Sequence, residues 1–197
     1  MTNINEIKQK ELILLILTLE GGLFLIALLW GYLAKINPFN KIYFDYADIF
    51  WAIIGAVFIL LINYVSINEL SKLIPFFRNL KDAYNDIAYL AANVSLPGAL
   101  VIALISGFAE EFFFRGILQQ QFGIVIASVV FGLFHIGNAK TLYYGIYAVI
   151  IGFYLGWLFI FTGNLLVPII VHVLNNFIAL PYMRYYYHKY IEENQNV

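Results

Sequence analysis

Apolar residues fill most of this chain in long runs, and polar residues are concentrated in short breaks between the runs. A run of about 18 apolar residues is long enough to cross a bilayer as a helix. Ser95 and Pro97 open one run, and both are typical of a helix start. Six predicted membrane spans follow from the pattern: Glu11–Leu33, Ile49–Ile67, Leu96–Phe122, Gly123–Asn138, Tyr143–Thr162 and Leu165–Tyr182. The fourth span is short, so a re-entrant segment is an open alternative there.

The stretch Asn68–Asn93 has a different pattern, in which apolar residues recur at three- and four-residue steps among charged ones. This spacing predicts an amphipathic helix that lies on the membrane surface. A soluble connecting helix fits the same pattern equally well.

Composition supports a membrane protein and excludes several functions. The 197 residues are 62% hydrophobic and 12% charged, whereas soluble domains carry about 25% charged residues. The absence of cysteine excludes disulfides, thiolate catalysis and cysteine-bound metals. A net charge of −1 gives no general basic surface for nucleic acid. We predict an all-α integral membrane protein with a two-span N-terminal region (1–95), a four-helix core (96–183) and a polar tail (184–197).

Basic residues predict the orientation of the chain in a cell membrane. Residues 11–33 are too long for a signal-peptide core, so we interpret them as a retained span. Six spans then place both termini on one side. That side carries eight basic residues and the other carries Lys35 and Lys41. The positive-inside rule therefore predicts cytoplasmic termini. The eight are Lys8, Lys10, Lys72, Arg78, Lys81, Lys140, Arg184 and Lys189.

Three charged residues, Glu110, Glu111 and Arg115, lie within the third apolar run. Each such charge costs about 2.5–3.5 kcal/mol at the bilayer centre, so intramembrane charges indicate function. Glu111 and Arg115 are four residues apart and can pair on one helix face. Glu110 is rotated away from that face by about 100°. We therefore predict that Glu111 and Arg115 are supporting residues and that Glu110 is the chemical group, although the two glutamates could exchange roles.

Three polar residues of other spans fall at a similar depth. Counted from the outer end of each span, Glu110 and His135 lie roughly 18 Å deep, and His172 and Asn176 roughly 14 and 20 Å. His172 and Asn176 are four residues apart and share a face. The shared depth predicts one site. Glu20, by contrast, is a lone carboxylate in the first span, for which we expect a helix-packing or interfacial role.

These side chains suffice for peptide hydrolysis without a covalent intermediate. A glutamate and a histidine can deprotonate a water molecule, and a histidine and an asparagine amide can stabilise the oxyanion. Glu110, His135 and His172 could instead bind a zinc ion, although the local His-Glu-x-x-His motif is absent. No cofactor is assigned from the residues, and zinc stays an open alternative.

The sequence at these positions resembles the CAAX protease and bacteriocin-processing family (CPBP, or Abi). Its three motifs occur in order here as Glu110-Glu111-x-x-x-Arg115, Phe131-x-x-x-His135 and His172-x-x-x-Asn176. The resemblance implies a helical intramembrane endopeptidase, sometimes classed as a metalloprotease. It implies that the positions of Glu110 and His135 activate water, and that those of His172 and Asn176 stabilise the oxyanion.

The resemblance also indicates which substrates to expect and which other functions compete with peptide hydrolysis. Family substrates include prenylated protein tails, peptide pheromones and bacteriocin leaders. The short chain is more similar to bacterial members, which makes a membrane-associated or secreted peptide the expected partner. Two alternatives are a non-catalytic immunity or scaffold protein and, with less support, a transporter that relays protons through Glu110, Glu111 and His135.

Overall fold

The computed structural model describes residues 8–195, with side chains described up to residue 189. The described residues form helices and connecting turns, with no strand among them. The helices are α1 (Gln9–Ala34), α2 (Tyr46–Leu73, which includes a π-turn), α3 (Pro75–Ala88), α4 (Leu96–Phe113), α5 (Gln119–Phe134), α6 (Leu142–Thr162) and α7 (Leu166–Gln195). A π-turn, Phe114–Leu118, joins α4 to α5. Residues 1–7 and 196–197 of the predicted polar ends lie outside the described residues.

The predicted all-helical membrane bundle is confirmed, but the predicted number of six spans is not. By length and composition, five helical stretches of residues 8–195 could cross a membrane. They are Gln9–Ala34, Tyr46–Leu73, Leu96–Phe134, Ala139–Thr162 and Leu166–Lys189. The predicted third and fourth spans together form the stretch Leu96–Phe134.

That stretch is not straight, because the chain reverses at Gly123. Gly123 has φ 84° and ψ 169°, a conformation that only glycine adopts readily. The ring centroids of Phe113 and Phe134 consequently lie 6.4 Å apart. Only the segment 124–134 returns as a helix, and it spans roughly 16 Å, or about half of the hydrocarbon layer.

The amphipathic helix α3 is shorter than the predicted stretch, because α2 continues to Leu73 through its π-turn. Leu80 and Ala83 are buried, while Arg78 and Asp82 are exposed on the opposite face. The apolar face packs on protein, since Leu80 clusters with Tyr147 of α6. The structure thus gives α3 a packing role against the bundle that the sequence did not predict.

The two described ends of the chain lie at the same end of the bundle. Gln9 of α1 accepts a hydrogen bond on Oε1 from the backbone N–H of Ser95 (2.6 Å). Arg184 of α7 donates to the carbonyl of Val94 (3.1 Å). The helix α7 continues well past Tyr182, where the last span was predicted to end, and takes in most of the predicted tail.

Candidate active site

Glu110 and Glu111 occupy the last turn of α4, and Arg115 lies in the π-turn that follows. A π-turn inserts one residue into a helix and is frequent at functional sites. Three charged or polar side chains at four-residue steps face the interior of the bundle here, since Glu111, Arg115 and Gln119 are all buried.

The predicted ion pair between Glu111 and Arg115 is confirmed. Arg115 Nη1 donates to Glu111 Oε1 at 2.9 Å, and the two side chains are 1% and 0% exposed. Arg115 Nη2 also donates to the carbonyl of Gly152 in α6 (3.0 Å). Its guanidinium carbon lies 4.5 Å from the ring centroid of Phe131 in α5, within the range of a cation–π interaction. Arg115 therefore connects α4, α5 and α6 through one buried side chain.

His172 of α7 contacts Glu111 rather than Glu110. The distance from His172 Nδ1 to Glu111 Oε1 is 2.8 Å. Because a carboxylate can only accept, Nδ1 carries the proton of this hydrogen bond. Glu111 thus receives hydrogen bonds from Arg115 and from His172 on the same oxygen. The structure assigns both supporting contacts to Glu111, which leaves Glu110 outside this cluster.

Glu110 faces His135, which ends α5. His135 Nε2 lies 3.8 Å from Glu110 Oε2. The other ring nitrogen, Nδ1, is 2.8 Å from the carbonyl of Phe131. A carbonyl only accepts, so Nδ1 holds a proton, and in the neutral ring Nε2 is the acceptor that faces Glu110. Two acceptors therefore point at the same gap, which is too long for a direct hydrogen bond.

Asn176 is the fourth predicted catalytic residue, and it lies one helical turn from His172 on α7. Its Nδ2 donates to Ser106 Oγ of α4 (3.0 Å), and its Oδ1 accepts from Asn175 Nδ2 (3.2 Å). Of the predicted residues, the structure therefore pairs Glu110 with His135 and Glu111 with Arg115 and His172, while Asn176 joins a separate hydrogen-bonded group.

A cavity of about 460 Å³ opens beside these residues. Three of the predicted catalytic side chains, His135, His172 and Asn176, are part of its wall. Most of the remaining wall is apolar or aromatic and comes from α2, α3, α6 and α7. Its members include Ile59, Leu60, Ile67, Leu80, Tyr144, Ile151 and Leu155. The cavity is thus largely apolar, and the polar residues of the site form one part of its wall.

Glu20 of α1 lies in the same site, which the sequence did not indicate. Its carboxyl group lies close enough to the Glu110 carboxyl for the two to interact electrostatically. The Oε2 atoms of both are buried and have no hydrogen-bond partner among the described residues. Two carboxyl groups at this separation repel each other when both are ionised. The expected packing or interfacial role for Glu20 therefore misses its proximity to Glu110.

Sequence reasoning missed Glu20 because a lone carboxylate carries no information on its neighbours. The helices α1 and α4 run parallel: Gln9 contacts Ser95, and Trp30 Nε1 donates to Gln121 Oε1 (2.6 Å). Glu20 lies between these two contacts, level with the charged turn of α4. The usable signal was its depth in the first span, together with its charge.

The described residues do not form a metal site. Among the side chains of residues 8–189, no group of three or more histidine, aspartate or glutamate residues converges as metal ligands would. The set considered from the sequence, Glu110, His135 and His172, is not among such groups, although the contact of His172 Nδ1 with Glu111 leaves its Nε2 free. The arrangement does not fit the alternative of a zinc ion held by these three residues.

Comparison with known proteins identifies one curated relative. The uncharacterized protein YpbD of Bacillus subtilis (strain 168) is 37% identical over 78 residues, which is 40% of this chain and 41% of that protein. The chain therefore aligns with only about two fifths of the relative's length. No solved structure matches the chain.

A family model described as "Type II CAAX prenyl endopeptidase Rce1-like" matches residues 92–178. The matched segment contains Glu110, Glu111, Arg115 and His135, as well as His172 and Asn176. It excludes α1 and α2, which supply Glu20 and part of the cavity wall. Together with the apolar helices, the match indicates a multi-pass membrane protein. The match over residues 92–178 supports membership in the CAAX protease and bacteriocin-processing family of membrane proteins.

Proposed function

We propose that this protein is an intramembrane endopeptidase in which Glu110 and His135 activate a water molecule for attack on a peptide carbonyl. The observation that carries the proposal is the 3.8 Å gap between Glu110 Oε2 and His135 Nε2, next to a cavity that His172 and Asn176 also line. Two acceptors on one gap suit a water molecule, because water has two O–H groups to donate.

In the first step, a water molecule in this gap donates its hydrogens to Glu110 and His135 and presents a lone pair to the substrate. As its oxygen bonds to the carbonyl carbon, one proton passes to the Glu110–His135 pair. The carbonyl π electrons move to the oxygen, which becomes negatively charged. The bond from His135 Nδ1 to the carbonyl of Phe131 (2.8 Å) keeps Nε2 available for this role.

In the second step, the negative oxygen is stabilised by donors on α7. Asn176 has two N–H donors, and Ser106 occupies one of them. His172 keeps Nδ1 on Glu111, so it can donate from Nε2 when its imidazole is protonated. The carboxylate of Glu111 stabilises that protonated ring. Such donors are worth about 10²- to 10³-fold in kcat each.

Collapse of the tetrahedral intermediate completes the reaction. The oxygen re-forms the carbonyl, the carbon–nitrogen bond breaks, and the departing nitrogen takes the proton held by Glu110 and His135. The products are a carboxylic acid and an amine. The protein groups return to their starting protonation, so no step requires a covalent bond to the enzyme.

The cavity supports a substrate with apolar residues beside the scissile bond. Its wall is largely aliphatic and aromatic, apart from the polar group at one end. A membrane-associated or secreted peptide fits this surface. The basic residues support cytoplasmic termini in a cell membrane: Arg184 lies at the end of the bundle that holds Val94, while Lys41 lies at the other end beside Leu165.

The test compares Glu110→Gln and His135→Ala with wild-type protein reconstituted in phosphatidylcholine–phosphatidylglycerol vesicles and presented with a quenched fluorogenic peptide library. Both variants should lose cleavage, at least about 10²-fold as is usual for an acid–base group, while still inserting into the membrane. Glu69→Gln is the matched control, since Glu69 is an exposed glutamate of α2.

Wild-type-like cleavage by either variant would overturn the mechanism. A comparison of membrane and secreted peptides from wild-type and Glu110→Gln cells would then identify the substrate. Identical peptide profiles in the two cell types would instead support the non-catalytic immunity or scaffold function.

A further inference from the structure

A row of hydrogen bonds between side chains links α6, α2 and α7 and ends at Asn176. Tyr147 OH donates to Asn63 Oδ1 (2.8 Å), and Asn63 Nδ2 donates to Asn175 Oδ1 (2.7 Å). Asn175 Nδ2 then donates to Asn176 Oδ1 (3.2 Å). All four side chains lie along the cavity wall. We call these four residues the amide row.

The amide row has one direction, which its Ser106 end defines. At the far end, Asn176 Nδ2 donates to Ser106 Oγ, whose own hydroxyl donates to the carbonyl of Ile102 (3.0 Å). A carbonyl cannot donate, so Ser106 is committed as a donor there and accepts from Asn176. At the near end, the Tyr147 hydroxyl donates to the oxygen of Asn63. Every amide between them therefore accepts on its oxygen and donates on its nitrogen.

The direction of the row decides what Asn176 can offer to a substrate. With its oxygen held by Asn175, the amide directs its NH₂ group toward Ser106 and retains a second N–H donor. If the amide rotated by 180°, its oxygen would replace that donor. An acceptor would then face the negatively charged oxygen of the tetrahedral intermediate, where a donor is needed.

We propose that Asn63, acting through Asn175, is a positioning residue that holds the Asn176 amide in its donor orientation. This inference rests on the proposed peptidase function. Asn63 belongs to α2, outside the segment that matches the family model. The N-terminal helices thus contribute to the chemistry of the site and do more than cover it.

The energetic argument is that amides in a bilayer need partners. A buried amide group without a hydrogen bond is costly in an apolar environment, and interhelical bonds to asparagine are a usual remedy. The row satisfies three adjacent amides at once, but only while each keeps the same direction. Loss of Asn63 frees the oxygen of Asn175, and both remaining amides then gain the freedom to rotate.

The main test replaces Asn63 with leucine, which has a similar shape and no donor. Asn63→Leu should lower kcat by about tenfold or more, a part of the loss expected when an oxyanion donor is removed, and should leave KM within about twofold. Tyr147→Phe, which removes one hydroxyl and keeps the ring, should produce a smaller change of the same kind. Asn68→Leu is the matched control. Asn68 is an amide of the same helix that bonds to Tyr182 and stands outside the row.

A second measurement follows the amide directly and needs no turnover. In ¹⁵N-asparagine-labelled protein in nanodiscs, the side-chain NH₂ signal of Asn176 can be assigned by its loss in Asn176→Ala. This signal should shift or broaden in Asn63→Leu and stay unchanged in Asn68→Leu.

The two measurements distinguish the outcomes. An unchanged Asn176 signal, or a kcat in Asn63→Leu equal to that of Asn68→Leu, would overturn the positioning role. A rise in KM at constant kcat would also overturn it. Failure of the proposed peptidase function would show separately, as unaltered cleavage in Glu110→Gln, while the NMR signal would still report on the row.

Discussion

Removal of the Arg115 side chain should strongly destabilise this protein, and the structure allows the size of the effect to be worked out. In Arg115→Met, the Glu111 carboxylate keeps its buried position and loses its 2.9 Å partner. Removing one member of a buried pair costs about 3–5 kcal/mol. The lost cation–π contact with Phe131 adds about 0.5–2 kcal/mol, and the lost bond to Gly152 about 0.5–1.5 kcal/mol. His172 stays bonded to Glu111 and offsets part of this loss.

We therefore expect Arg115→Met to lower the free energy of unfolding by about 4 kcal/mol, close to the usual cost of orphaning a buried charge. Unfolding by SDS in mixed micelles, followed by far-UV circular dichroism, measures this quantity. Lys72→Met is the control, because Lys72 forms an exposed pair with Glu69 (2.9 Å). Exposed pairs contribute about 0–1 kcal/mol, so the control should change little.

The double variant Glu111→Gln/Arg115→Met separates charge from shape. It removes both charges and keeps two side chains of similar volume, so it should be more stable than Arg115→Met alone. If Arg115→Met costs no more than Lys72→Met, or if the double variant is the less stable of the two, the pair does not stabilise the bundle in the way that we describe.

Three further predictions concern other parts of the molecule. Gly123→Ala should lower the unfolding free energy by about 1–3 kcal/mol in the same SDS assay, because alanine is strained at the φ of this turn. The control is Gly22→Ala, at a site with open space, and equal effects of the two substitutions would contradict a sharp reversal at Gly123. In alkaline solution, where both carboxyl groups of the wild type are ionised, Glu20→Gln should raise the unfolding free energy by about 1 kcal/mol, since it removes the repulsion with Glu110. No gain relative to Glu69→Gln under these conditions would argue against their contact. Burial raises the pKa of Tyr84 in α3, so the stability contributed by the Tyr84 side chain is complete below the unfolded pKa of about 10 and is lost at higher pH. Tyr84→Phe should therefore unfold less readily than wild type in alkaline solution. Identical pH profiles of stability for the two proteins would refute this.

The sequence predicted the helical spans and the ion pair because both depend on local spacing. The apolar runs define helices directly, and residues four apart, such as Glu111 and Arg115, must share a face. The break at Gly123 was also visible as the start of a new run. The length of the returning helix was not, because it depends on how α5 packs against α6.

Contacts between distant helices could not be obtained in this way. Whether His172 meets Glu110 or Glu111 depends on the rotation of α4 about its axis, which the insertion of a π-turn changes. The position of Glu20 depends on the parallel packing of α1 and α4. The bond between Asn63 and Asn175 joins residues that are 112 positions apart, and no local pattern encodes it.

The reversal at Gly123 has a consequence for the order in which the molecule assembles. Glu110 and His135 belong to one continuous hairpin, so their half of the site can form from neighbouring segments of chain. His172 meets Glu111 across 61 residues, and closing this longer loop costs about 0.8 kcal/mol more in chain entropy. Contacts near in sequence generally form sooner. During synthesis, the contact between Glu110 and His135 would therefore be built first, and His172 would reach Glu111 only when the last helix docks.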